Sequence, residues 1–146
     1  MEHWCTGSVG RVELCQAEWR LDEKKPWIGA STIHDFGINN GRNYIFSLDT
    51  ERSRGDTLHW RVTRQLRDRF PNPQEAVSLR PQAPIQKQTM VVVWPLDREP
   101  KQVEIRHEDG ASRPITPQRR KDGRLFVEEQ LASNVAGSAT KIAWIW

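Results

Sequence analysis

The chain has 146 residues and a formal net charge of +3, from 22 Lys and Arg against 19 Asp and Glu. This length suits one ordinary domain, so a single domain over 1–146 is expected, able to bury a core without metals or many disulfides. No stretch approaches the roughly 18 apolar residues of a membrane span, and the charge excess is small for a strongly electrostatic nucleic-acid binder.

Hydrophobic residues make up 36% of the chain, below the usual range of about 45–50% that also counts glycine. The expected core is therefore lean and draws on seven tryptophans, four phenylalanines and one tyrosine for bulk. The N-terminus is neither basic nor apolar enough for a signal peptide. Cys5 and Cys15 read as free thiols of a cytoplasmic protein; the alternative is one disulfide in a periplasmic or secreted protein whose signal peptide has been removed. No Cys-x-x-Cys pair or tight Cys/His cluster points to a metal, and no cofactor is expected.

In chain order, Gly7 and Gly10 suggest an early turn. Arg11–Lys25 is ambiguous: Glu13, Leu14, Gln16, Ala17, Glu18, Arg20 and Leu21 form helices well and Pro26 would stop one, whereas Cys15, Ala17, Trp19 and Leu21 also alternate as in a strand. The helix is slightly preferred. Residues 26–42 read as a long connection rich in turn formers (Pro26, Gly29, Gly37, Asn39, Asn40, Gly41), unless a short strand hides there. Asn43–Asp49 reads as a strand with Tyr44, Phe46 and Leu48 on one side.

Thr57–Phe70 carries two patterns. Leu58, Val62, Leu66 and Phe70 recur every four residues, as in a helix; Leu58, Trp60 and Val62 alternate, as in a strand. A strand over 57–65, paired with 43–49 as a hairpin across the 50–56 loop, is preferred. Asn72-Pro73-Gln74-Glu75 is the cleanest helix start, with Asn72 as cap, and Pro81 ends that helix; Pro81 and Pro84 then make an extended linker.

Thr89–Trp94 is the most apolar internal run. Its three consecutive valines favour a strand, and the lack of alternation places it centrally in a sheet, covered on both faces. Gln102–His107 alternates, Asp109-Gly110 signals a two-residue hairpin in which both positions tolerate positive φ, and a partner strand follows from Ala111 to about Ile115. Asp122-Gly123 is a second turn, Leu125–Glu129 a strand, Ala132–Ala139 a loop and Thr140–Trp146 a final strand. The expected fold is mainly β, an antiparallel β-sandwich or partly open barrel of about six to seven strands with one or two short helices. The alternative is α+β, with helices at 11–25 and 57–70.

No catalytic motif supports an enzyme. His34-Asp35 reads as polar loop, His59 and His107 as structural histidines, Glu108-Asp109 as turn chemistry and Glu128-Glu129 as a strand end facing water. The leading expectation is a non-catalytic accessory domain of adaptor, inhibitor or immunity type that recognises a protein partner, with Trp144 and Trp146 on the terminal strand as binding residues. The alternative is a nucleic-acid binder. Residues 52–88 hold 8 basic and 3 acidic groups, and Arg54, Arg61, Arg64, Arg67 and Arg69 with Trp60 would contact phosphate and base.

Overall fold

In a computed structural model, residues 2–5, 11–38, 41–47, 53, 55–67, 70–80, 87–131 and 137–146 are described. Among them every regular element is a strand, so neither expected helix forms and the α+β alternative is excluded. The fold is mainly β, antiparallel and sandwich-like, and the described strands close no barrel. The chain divides into two compact units, Met1–Arg69 and Phe70–Trp146.

In the first unit, β1 (Glu2–Cys5), β4 (Ser31–Ile38) and β5 (Gly41–Ser47) form a sheet in the order β1-β5-β4. A second sheet has the order β3-β2-β6, built from β2 (Arg11–Arg20), β3 (Ile28–Gly29) and β6 (His59–Arg67). The preferred helix at 11–25 is thus a strand followed by a turn. Ala17 and Trp19 are buried while Gln16 is exposed, so the period-2 pattern wins over helix propensity once β6 supplies a partner, with Trp19 opposite Trp60 and Ala17 opposite Val62. Lys25 N closes the turn on Asp22 O at 3.0 Å.

The long connection at 26–42 contains β3 and most of the β4–β5 pair. The strand at 57–65 is present as β6, yet its expected hairpin with 43–49 is not: β5 pairs with β1 and β4, and β6 pairs with β2. Adjacency in sequence suggested the wrong neighbour.

The second unit contains β7 (Gln74–Leu79), β8 (Gln88–Val93), β9 (Gln102–His107), β10 (Ser112–Pro114), β11 (Gln118–Arg119), β12 (Leu125–Leu131) and β13 (Thr140–Ile145). They form two antiparallel sheets, β10-β9-β13-β7 and β11-β12-β8. Val103, Ile105, Ile142 and Trp144 from the first meet Met90, Trp94 and Val127 from the second in one core, as in a sandwich whose inner faces interdigitate. Trp144 is its centre: its ring meets Phe70, Trp94 and Trp146 edge-on, with centroids 4.9, 5.7 and 5.7 Å away. An ion pair from Arg113 on β10 to Glu129 on β12 ties the two sheets at one side.

The helix expected from Asn72 is instead β7. The capping signature is physically there, since Asn72 N and Nδ2 both donate to Glu75 Oε1 at 2.7 and 2.8 Å. It opens a strand because β13 offers six positions of pairing, Ile145↔Gln74 to Thr140↔Leu79. The linker at 81–86 lies outside the described residues. Both turns form, but the loop at 109–110 has three residues where two were expected: His107 N donates to Ala111 O at 2.8 Å, and of the pair Gly110 alone takes a positive φ. Gly110 and Gly123 have φ of +88° and +87°, and each amide returns to the carbonyl three residues back, at His107 and Arg120.

The central placement of 89–94 is corrected. β8 is the margin of its sheet and pairs, among the described residues, with β12 alone. Met90 is buried and Val92 packs on the core, while Val91 is 53% exposed. An unbroken apolar run fits a doubly covered strand, but it fits equally a margin strand whose outer face is also apolar.

Candidate interaction edge

β8 runs antiparallel to β12 with Val91 opposite Glu128 and Val93 opposite Phe126. Trp94 N donates to Leu125 O at 3.0 Å. Bonded and non-bonded pairs alternate in an antiparallel ladder, so Val92/Val127 and Met90/Glu129 are the bonded pairs. Thr89, Val91 and Val93 therefore direct their N–H and C=O groups away from β12, along the sheet margin.

The composition of this margin matters as much as its geometry. β8 reads Gln-Thr-Met-Val-Val-Val, without a charge or a proline. Soluble proteins usually blunt such margins with lysine, proline, a bulge or a very short strand. The other margin strand of the same sheet, β11, has two residues, and β10 has three including Pro114. The outer face beside the margin carries exposed Val91, half-buried Val93 and half-buried Phe126, with exposed Glu128 among them.

The expected binding tryptophans lie elsewhere. Trp144 is 2% exposed and offers almost no surface to a partner. Trp146 is half-buried, with the Arg98 guanidinium 4.0 Å above its ring. Its Nε1 donates to Phe70 O at 3.1 Å, which also accepts from Arg98 Nη1 at 2.9 Å. The terminal strand docks into the core.

The arginine set is spread by strand alternation. Arg54 and Arg69 lie outside the described residues, as does the side chain of Arg67, whose place on β6 is opposite Arg11 of β2. Arg61 donates from Nε to Glu18 Oε2 at 2.8 Å and lies 4.5 Å from the Trp27 ring centre, with Arg20 4.4 Å from the same ring. Trp60, Val62 and Arg64 are half-buried and alternate with exposed Arg61, Thr63 and Gln65. A helical face of Arg61, Arg64 and Arg67 does not form.

His34 and Asp35 are consecutive positions of β4, opposite Ile45 and Tyr44, and their side chains lie outside those described. Cys5 of β1 stands opposite Arg42 of β5 and Cys15 of β2 opposite Arg64 of β6, and the side chains of both cysteines again lie outside those described. His59 on β6 and His107 on β9 are half-buried, and His107 Nδ1 lies 3.5 Å from Thr140 Oγ1. Among the described residues no three His, Cys, Asp or Glu side chains converge as metal ligands do, and no helix is long and apolar enough to cross a membrane.

Glu108 does more than turn chemistry. Its Oε2 accepts from Ala139 N at 2.7 Å and its Oε1 from Arg80 Nη2 at 2.9 Å. The Ala139 amide, and then the charges of Arg80 and Lys141, hold its carboxyl below the ordinary value of 4.5. Glu99 and Asp122 are lowered as well, by hydrogen bonds from Arg119 and Arg124 respectively.

Sequence reasoning found the valine run but gave it the wrong place, and it took Glu128 and Glu129 as alike. Alternation separates them: Glu129 turns inward to Arg113, its side chain 17% exposed, while Glu128 stays in water. No protein-family model, curated protein or solved structure matches the chain.

Proposed function

We propose that this chain is a non-catalytic protein-recognition domain that captures an extended segment of its partner by strand addition along β8. One observation carries the reading: a six-residue margin strand free of charge and proline, with Val91 exposed and the main-chain groups of Thr89, Val91 and Val93 turned outward. Main-chain bonding would give the added strand affinity, and the apolar outer face would select its alternate side chains. The arginine alternative has less behind it, because Arg61 is engaged by Glu18 and Trp27.

The test compares the protein with Val91→Pro in affinity capture from its native host. That substitution removes an outward N–H and leaves the β12 ladder intact, the one way proline is tolerated in a sheet margin. A partner retained by the unmodified protein and lost by the variant, and slowing amide exchange at Thr89, Val91 and Val93 when added back pure, is the expected result. Identical capture by both proteins sinks the reading.

A further inference from the structure

Glu128 stands apart from the other glutamates of 70–146. Glu75, Glu99, Glu104, Glu108 and Glu129 each accept a hydrogen bond from a nearby donor, four of them from arginine. Glu128 is exposed and has no such donor among the described residues. It sits in the middle of the outer face, directly across from Val91, in a non-bonded pair where side chains approach most closely.

Resting on the strand-addition reading, we infer that the segment β8 accepts is apolar and basic, with a lysine or arginine placed opposite Val91 to reach Glu128. A strand added along β8 lies two inter-strand spacings from β12, roughly 10 Å. Its residue opposite Val91 shares the outer face with Val91 and Glu128. A lysine or arginine stem is long enough to cross the valine methyls, bury its methylenes on them and set its charge against the carboxylate. An acidic residue there meets an unneutralised like charge. Its neighbours on the same face lie beside Thr89 and Val93, which suits small or apolar side chains. Charge complementarity therefore favours a basic partner over a second copy of this chain, whose own β8 is uncharged.

The experiment selects binders from a displayed library of short random peptides on three folded proteins: unmodified, Glu128→Lys and Val91→Pro, with Thr89→Pro as a second blocked margin should Val91→Pro misfold. Unmodified protein is expected to enrich alternating apolar peptides with a central Lys or Arg. Glu128→Lys should exchange that preference for Asp or Glu, and the blocked margins should retain none of these peptides. For the best basic peptide, Glu128→Gln should weaken binding about two- to fivefold at low salt, the range of an exposed ion pair, and less as salt rises.

Peptides that need the open margin yet show no charge preference, or keep it in Glu128→Lys, overturn the inference and leave strand addition standing. Peptides retained equally by the blocked margins overturn strand addition itself. A concentration-dependent dimer in sedimentation that Val91→Pro dissolves assigns the margin to a second copy, which also overturns the inference.

Discussion

Trp144 and Trp146 are two residues apart and differ sharply in what they hold. Trp144 contacts three aromatic rings and is buried; Trp146 closes one side of that cluster under Arg98. Trp144→Ala is expected to cost about 3–5 kcal/mol in denaturant unfolding, and Trp146→Ala distinctly less. Among the described residues the buried indole N–H groups of Trp94 and Trp144 meet no acceptor, a cost of about 1–3 kcal/mol each that the ring packing outweighs. Glycine supplies a second contrast. Gly110 and Gly123 both sit at positive φ, but a Cβ on Gly110 meets nothing within 4 Å, while one on Gly123 lies 3.1 Å from Leu96 Cδ2. Gly110→Ala should lose about 1–2 kcal/mol from the backbone alone, and Gly123→Ala should lose more, as thermal melts of the pair will show.

At the scale of elements, Glu108 joins the end of β9 to Arg80 after β7 and to the chain entering β13. Its lowered carboxyl fixes the sign of a pH effect. The unfolded chain binds this proton more readily, so the stabilisation is present above the ordinary value of 4.5 and is lost as pH falls through the lower folded value. Melting temperature should fall on acidification below that point, and Glu108→Gln should make the fall shallower. Proline scanning of β8 should alternate: Val92→Pro loses a ladder bond to β12 and should cost at least about 0.5–1.5 kcal/mol more than Val91→Pro. The elements legible in sequence are those set by neighbours in the chain. β9, the turn at 109–110, the turn at 122–123 and β13 all follow from alternation and glycine placement. What stayed hidden depends on distant pairing. β2 is a strand because β6 lies beside it, β7 is a strand despite a capping signature because β13 lies beside it, and β8 is a margin because β12 is its one described neighbour. The candidate site inherits that limit: Val91 and Glu128 become neighbours only through register.

At the scale of the molecule, residues 70–146 own a complete core drawn from both of their sheets. Expressed alone, they are expected to unfold in one cooperative transition with the near-ultraviolet circular dichroism of packed tryptophans. A molten fragment would instead favour the single cooperative domain over 1–146 that chain length suggests. The two ends of this stretch meet. Trp146 N donates to Pro73 O at 3.0 Å while its indole reaches Phe70 O, so first and last residues lie side by side. A short glycine bridge from 146 back to 70, with the backbone cut at the exposed tip of residues 109–110, should yield a circular permutant that keeps every strand pairing and moves both free ends to the turn between β9 and β10.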